Sequence, residues 1–195
     1  MDVLPWIFSS GWASGINSYA VVLILGVAGR FGADGVPSGL ERTDVLIAAA
    51  VMFLIDLVAD KIPYIDSTWD AVHTAIRPAI GAIIGALLAG EAGSLEQAIG
   101  ATTGGLSALA SHAVKAGLRA AVNTSPEPAS NVVVSSAEDV TVAGVVAVSL
   151  LNPWVAATIA AVLLGVGLLI VLTLWRRIQA YRRNRAGRRA ARLRA

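Results

Sequence analysis

The sequence predicts an all-α protein, a polytopic helical membrane bundle, from its composition and from the spacing of its apolar runs. Of its 195 residues, 56% are hydrophobic and only 14% are charged, whereas soluble proteins carry roughly 25% charged residues. A soluble fold of this size would have too few polar side chains to cover its surface. A bilayer removes that requirement, and we therefore expect about six membrane-spanning helices.

Apolar runs of helical length define these spans. The last run lies between Trp154 and Trp175, and tryptophan prefers the membrane interface. The first run, near the N-terminus, is similarly long. Four runs between them are too short for a hydrocarbon core of ~30 Å unless each helix extends into polar sequence on one side. Within a membrane domain over 1–175, the predicted spans are 5–31, 44–61, 67–90, 96–119, 131–152 and 154–175.

The arginine-rich tail over 176–195 predicts the orientation. Nine arginines follow Trp175, and without them the formal charge falls from +2 to +2 − 9 = −7. Short basic segments beside a span stay in the cytoplasm, so six spans would place both termini there. The tail also favours contact with anionic lipids. Nucleic-acid binding is not indicated, because neither a nucleic-acid-binding fold nor a pattern of aromatic residues accompanies these arginines. Abundant alanine, and arginine in preference to lysine, favours a bacterial inner-membrane protein.

Several classes of chemistry are excluded or disfavoured. The chain has no cysteine, which excludes disulfides, thiolate metal sites and cysteine nucleophiles. It has no G-x-S-x-G sequence, so a serine nucleophile is not indicated. Residues 1–3 lack the basic start of a cleavable signal, so we expect the first apolar run to be retained. The sequence therefore favours a protein that is not an enzyme and predicts no cofactor.

Polar residues recur at helical spacing inside the predicted spans. Four of them, from Asp66 to Arg77, have offsets of 0, 4, 7 and 11, and four from His112 to Asn123 have offsets of 0, 3, 7 and 11. Each set shares one helix face, and ionisable groups at membrane depth normally face the bundle interior or a water-filled cavity. The candidate binding residues are Asn17, Asp56, Asp60, Lys61, Asp66, Asp70, His73, Arg77, His112, Lys115, Arg119, Asn123, Glu127, Asn131, Glu138 and Asp139.

Two interpretations of these residues remain open. Carboxylates of spans two and three would face bases of span four. They form either structural ion pairs that fix the helix register or a cytoplasm-facing polar site. The number of ionisable groups favours a site. A metal ion is a weaker possibility because neighbouring bases would compete for the carboxylates. Its candidate ligands are Asp70, His73, His112 and Glu138.

Glycine spacing and a short internal repeat add two expectations. Pairs four residues apart predict close helix packing, and only secondarily a broken helix. These pairs are Gly11/Gly15, Gly81/Gly85 and Gly100/Gly104. The pattern that begins at Pro63 (P-x-x-D-x-x-x-D-x-x-H) resembles the pattern that begins at Pro128 (P-x-x-N-x-x-x-S-x-x-E), which indicates possible duplicated helix pairs.

Three segments resemble a family of bacterial integral membrane proteins catalogued as domain of unknown function 4126. They are Gly15–Tyr19, Ala59–Pro78 (ADKIPYIDSTWDAVHTAIRP) and Ser125–Asp139. The third segment begins with Ser125-Pro-Glu-Pro-Ala-Ser-Asn131 and ends with Ala137-Glu-Asp139. The resemblance covers about 5–160. It implies a multi-span membrane domain and carries no activity, substrate or cofactor.

The leading functional hypothesis is a small transporter or permease. In it, four aspartates (56, 60, 66 and 70) bind a proton or cation, His73 and His112 titrate near neutral pH, and the bases balance charge or hold an anionic group. The alternatives are a lipid-handling protein, either a flippase or an enzyme acting on phosphate head groups, and a non-catalytic scaffold. A lateral lipid-filled opening would favour lipid handling, a closed wet cavity would favour transport, and tightly paired charges without a cavity would favour the scaffold. An oligomer is possible.

Overall fold

The computed structural model describes residues 3–62, 64–90, 93–123 and 128–192, and all regular secondary structure in these ranges is helical. This confirms the predicted all-α bundle. The helices are α1 (Val3–Arg30), α2 (Thr43–Ala59), α3 (Ile65–Ala89), α4 (Ser94–Val122), α5 (Pro128–Leu151) and α6 (Pro153–Arg192). Four described segments are long and apolar enough to cross a membrane: Val3–Arg30, Ile65–Ala89, Ala129–Leu151 and Pro153–Tyr181.

The helix boundaries differ from the predicted spans by a few residues at most ends, and three of them have a clear structural reason or consequence. Helix α3 begins at Ile65 rather than at 67, because Asp66 lies inside the first turn and is not its N-cap. Helix α5 begins at Pro128, a residue that suits the first helical position because its ring presets φ. Helix α6 continues to Arg192, so most of the arginine-rich tail extends the last helix.

The largest departure is in α1, which is broken at Asn17. The backbone there has φ −147° and ψ 93°, outside the helical region. The side-chain oxygen of Asn17 accepts the N–H of Ala20 at 3.0 Å, as an N-cap does at the start of a helix. Two arms result, residues 3–16 and 18–30. Asparagine can make this local hydrogen bond in place of the helical one, which is why it can interrupt a helix.

The first arm runs from one end of the bundle toward its middle. Near its start, Ile7 shares a small pocket with Ala89, at the end of α3, and Ile99, near the start of α4. Two turns later, Gly15 lies against the backbone of Ala108 on α4. The first arm therefore runs parallel to α4.

The second arm runs back to the end where the first arm began. At its start, Tyr19 bonds to His73, in the first half of α3, at 2.9 Å. At its end, Arg30 donates to the Thr43 hydroxyl at 2.5 Å, where α2 begins beside Leu87 near the end of α3. The two arms are therefore antiparallel, and α1 is a re-entrant helical hairpin with its tip at Asn17.

The hairpin corrects two expectations. Over 5–31 the chain enters and leaves at the same end of the bundle, here called the loop end because residues 31–42 lie there, instead of crossing it. The other five helices each run once between the two ends. The start of α1 and the arginine-rich end of α6 therefore lie at opposite ends, not on one side as predicted.

The hairpin occupies the centre of the bundle. Both arms are largely buried and pack against α3, α4, α5 and α6. Close approach depends on glycine: a Cβ on Gly100 would overlap the carbonyl oxygen of Gly85, and one on Gly104 would overlap that of Gly81. The predicted glycine pairs thus lie at helix crossings. Outward faces are apolar, and Trp154 and Trp175 at the limits of the last predicted span are exposed, as expected for helices in lipid.

Candidate functional site

Polar side chains from α2 to α5 converge at the tip of the α1 hairpin. We call this set the polar cluster. Its carboxylates are Asp56, Asp60, Asp66, Asp70, Glu138 and Asp139. Its bases are Lys61, Arg77, Lys115 and Arg119. Seven of these ten side chains are at most 4% exposed, and the others are Glu138 at 15%, Asp139 at 19% and Lys61 at 29%.

Arg77 joins α2 to α3 in the deepest part of the polar cluster. Its two terminal nitrogens donate to Asp56 at 2.9 Å and to Asp70 at 3.0 Å. The indole N–H of Trp69 also donates to Asp56, at 2.6 Å. Asp56 is therefore held by two donors, whereas Asp70 shares Arg77 with it.

Lys115 joins α4 to the end of the first hairpin arm. Its ammonium donates to the Ile16 carbonyl at 3.1 Å and to the Asp60 carboxylate. Glu138 lies 3.6 Å away and Asp70 3.9 Å away. The carbonyls at the C-terminal end of a helix carry partial negative charge. Breaking α1 thus places a helix end, as well as three carboxylates, around this cation.

Arg119 ties α4 to α5 and to the end of α2. It donates to Glu138 at 2.7 Å and to the backbone carbonyl of Asp60 at 2.6 Å. Its guanidinium also lies 3.6 Å from Asp66. Asp66 receives further hydrogen bonds from the Asn123 amide at 2.9 and 3.0 Å and from its neighbour Ser67 at 2.6 Å, with a longer one from Asn131 at 3.4 Å.

Asp139 lies at the hairpin tip, where it is held less tightly. The Asn17 amide donates to one of its oxygens at 3.2 Å. Lys61 approaches the other to 3.9 Å, beyond hydrogen-bond length, and instead donates to the Leu57 carbonyl and the Ser135 hydroxyl. Asn17 therefore links the helix break directly to a buried acid.

Both histidines are buried beside Arg77. His73 places Nδ1 2.8 Å from the Trp69 carbonyl and Nε2 2.9 Å from the Tyr19 hydroxyl. His112 places Nε2 3.1 Å from the Asp70 carbonyl and receives the Arg77 guanidinium at Nδ1, at 3.4 Å. His112 Nε2 also lies 3.1 Å from the Thr74 hydroxyl. Each ring thus faces at least one carbonyl acceptor and one group that can donate.

Four carboxylate oxygens in the polar cluster have no hydrogen-bond partner among the described residues. They are Asp56 Oδ2, Asp60 Oδ1, Asp70 Oδ2 and Asp139 Oδ2. Buried polar atoms are usually paired because an unpaired one loses its hydration without compensation. These oxygens are therefore the places in the polar cluster where a proton or a small ligand would be stabilised.

The predicted site residues are brought together with one exception: Glu127 lies outside the described residues. Tyr19, Trp69, Thr74 and the Ile16 carbonyl were not predicted. Trp69 and Thr74 lie in the same sequence motif as His73. The indole N–H of Trp69 is a hydrogen-bond donor, and this property was the signal that could have identified it. As for a metal ion, the described part of the chain contains no group of three or more acidic or histidine residues placed to hold one.

Cavities near the polar cluster are small. One of about 120 Å³ lies between the first hairpin arm, α4, α5 and α6, with Lys115 and Glu138 in its wall. A larger groove of about 510 Å³ opens between α1, α2 and α3, with Tyr19 and otherwise mostly apolar residues along it. The charges are therefore packed against one another, with the cavity of about 120 Å³ beside Lys115 and Glu138.

Fold and site together define an all-α helical bundle with helices that could cross a membrane, a re-entrant hairpin and a buried charged network. The chain belongs to the family described as "Domain of unknown function (DUF4126)", which matches residues 4–173. Neither a curated protein nor a solved structure matches the chain.

Proposed function

We propose that the protein is a small membrane transporter that moves protons or a small cation, and that the polar cluster at the hairpin tip is its ion site. The observation that carries this proposal is the broken α1. Backbone that leaves the helix at membrane depth occurs where it is buried in protein or lines a pathway. Transporters place such helix ends at the midplane, where their partial charges contact ions.

The charged partners of the break support the same function. Lys115 contacts the carbonyl end of the first arm, and Asp139 contacts Asn17 at the start of the second. A change of charge at either position would act directly on the hairpin. The tight packing of the polar cluster then corresponds to an occluded state, in which the ion site is closed to both sides.

The two alternative functions make different demands on the same residues. A phosphate head group needs free bases, but Arg77, Lys115 and Arg119 are all bonded to carboxylates. The groove beside Tyr19 is the feature that favours lipid handling, since residues of α1, α2 and α3 give it a mostly apolar lining. The tight packing of the charges is the feature that favours a scaffold. However, a scaffold needs only balanced ion pairs, and the polar cluster has six carboxylates for four bases.

We further propose a bacterial inner membrane as the location, with the arginine-rich end of α6 in the cytoplasm. This orientation follows the preference of basic flanks for that side. The loop end, and with it the start of α1, then faces outward. The helical extension of α6 to Arg192 would lie near anionic lipid head groups of the inner leaflet.

Ion flux into liposomes tests the proposed function. Purified protein is reconstituted, a membrane potential is imposed with a potassium gradient and valinomycin, and proton entry and radioactive sodium uptake are measured in parallel. We expect flux of one ion above that of empty liposomes, and at least a tenfold loss with Asn17→Ala. Protein that carries neither ion contradicts the proposal.

Asn152→Ala is the matched control. Asn152 caps the start of α6 through the N–H of Val155 at 3.2 Å, much as Asn17 caps the second arm, but it lies far from the polar cluster. Loss of either cap costs about 1 kcal/mol of stability. Equal loss of flux in the two variants would show that capping alone, and not the position of Asn17, matters.

A further inference from the structure

The charge of the polar cluster does not balance, and we infer that it binds two protons at neutral pH, one on Asp139 and one on Asp70. This inference deepens the proposed function, because it names the proton as the transported ion. The role of these protons in transport rests on that proposed function. It follows from the charge count, the hydrogen bonds of the histidines and the unequal support that the six carboxylates receive.

The count gives an excess of two carboxylates. Six carboxylates and four bases belong to the polar cluster, and 4 − 6 = −2 when both histidines are neutral. Isolated charge in a low-dielectric interior is very costly, so a buried group neutralises by binding or losing a proton. A metal ion would need several converging ligands, and the described residues offer no such group.

The histidines do not supply the missing positive charge. Arg77, which can only donate, lies 3.4 Å from His112 Nδ1, and this contact requires that nitrogen to be unprotonated. The other nitrogen, Nε2, faces the Asp70 carbonyl and the Thr74 hydroxyl, both at 3.1 Å. His73 donates from Nδ1 to the Trp69 carbonyl, and the Tyr19 hydroxyl donates to Nε2. Each ring is satisfied in its neutral form.

Asp139 is the first proton site because it has the weakest charge compensation. The charged groups that face it are Lys61, Lys115 and Asp60. Only Lys61 comes within 4 Å, at 3.9 Å, and it is 29% exposed. Asp139 Oδ2 has no hydrogen-bond partner among the residues described. A proton there removes the uncompensated charge beside the hairpin tip.

Asp70 is the second site because it has no base of its own: it shares Arg77 with Asp56 at nearly equal distances, and Lys115 has closer partners. Arg77 also binds Asp56, and Lys115 also binds Asp60 and Glu138. Asp60 and Arg119 complete the charges around Asp70. Its Oδ2 is buried and has no partner in the described part of the chain, and its side chain is only 4% exposed. A protonated Asp70 still accepts from Arg77 through Oδ1.

The remaining four carboxylates each receive at least one close hydrogen-bond donor. Asp56 receives Arg77 and Trp69, Asp60 receives Lys115, and Glu138 receives Arg119 at 2.7 Å. Asp66 accepts from Asn123 with both oxygens and from Ser67. Such donors favour the charged form. The two neighbours Glu138 and Asp139 therefore differ in the donors that they receive: Glu138 has a charged one, and Asp139 has the Asn17 amide.

Infrared spectroscopy of the reconstituted full-length protein tests the inference. A protonated carboxyl group has a C=O stretch that is distinct from the carboxylate bands and shifts in heavy water. We expect this band at pH 7, and we expect Asp139→Asn and Asp70→Asn each to remove about half of it. The neutral amides resemble the protonated acids, so both variants should keep the melting temperature of the native protein.

Glu138→Gln is the matched control at the adjacent position. It should keep at least the half of the band that Asp139 contributes, and it should lower the melting temperature, because Arg119 and Lys115 lose a charged partner. Absence of the band from the native protein overturns the inference without any variant, and so does a band whose intensity is undiminished in both aspartate variants. Flux without the band would support the transport function and overturn the inference of two bound protons. The band without flux would support the two bound protons and contradict the transport function.

Discussion

Lys115 illustrates at the scale of single residues how the polar cluster is held. It is almost fully buried, yet it faces Asp60, Asp70, Glu138 and the Ile16 carbonyl. Removing a buried charge costs far more than removing an exposed one, because its partners remain uncompensated. In a set that already has too many carboxylates, loss of a base should be worse than loss of an acid.

The substitutions Lys115→Met and Asp60→Asn test this asymmetry. Lys115→Met should lower the free energy of unfolding by about 3–5 kcal/mol. Asp60→Asn should lower it less, because Lys115 keeps Asp70 and Glu138. The double variant should be more stable than Lys115→Met alone. Thermal unfolding in detergent measures all three, with Arg42→Met as the control at an exposed pair (Arg42–Asp44, 2.6 Å). A larger loss with Asp60→Asn contradicts the charge count.

Helical spacing was enough to predict which residues would converge, but not their partners. Offsets such as those from Asp66 to Arg77 place side chains on one face regardless of tertiary structure. Pairing also depends on the rotation and depth of each helix. That is why carboxylates of spans two and three could be placed opposite the bases of span four, whereas the contact of Tyr19 with His73 required the fold of the hairpin.

Glycine positions explain packing at the scale of helices. The α3–α4 crossing is close because Gly85 and Gly100 present bare backbone to each other. In contrast, nothing lies within 4 Å of a Cβ built on Gly144, in α5. Gly100 and Gly144 both lie within helices, but an added Cβ would meet backbone at Gly100 and open space at Gly144. They therefore form a matched pair.

Alanine at these two positions should have opposite effects on stability. Gly144→Ala should stabilise by up to about 1 kcal/mol, because alanine is the better helix former. Gly100→Ala should destabilise by about 1–3 kcal/mol, because its Cβ would overlap a backbone oxygen that cannot move independently. Melting temperatures in one detergent provide the comparison. Stabilisation by both substitutions would mean that α3 and α4 are farther apart.

Hydropathy predicted six helices but could not predict that α1 folds back. Val3–Arg30 is long and apolar enough to cross a membrane, and one polar residue in the middle changes neither property. The available signal was Ser14-Gly15-Ile16-Asn17-Ser18, a small and polar stretch at the centre of the run. Whether such a stretch breaks a helix depends on the partners that it meets, here Lys115 and Asp139.

For the whole molecule, the hairpin sets the topology. A crossing α1 would place the start of the chain and the arginine-rich end of α6 on the same side of a membrane. A re-entrant α1 places them on opposite sides and keeps the start of the chain with residues 31–42. All of the proposed ion chemistry depends on this arrangement, because the hairpin tip carries Asn17 into the polar cluster.

Cysteine labelling tests the hairpin most directly, since the chain has no cysteine of its own. Single cysteines are placed ahead of Met1, at the exposed Asp34 and at the exposed Arg183, and a membrane-impermeant maleimide is applied to intact cells and to inverted vesicles. The account predicts that the cysteine ahead of Met1 and the one at position 34 react from one side and the one at position 183 from the other. Reaction of the first cysteine from the same side as position 183 would contradict the re-entrant hairpin.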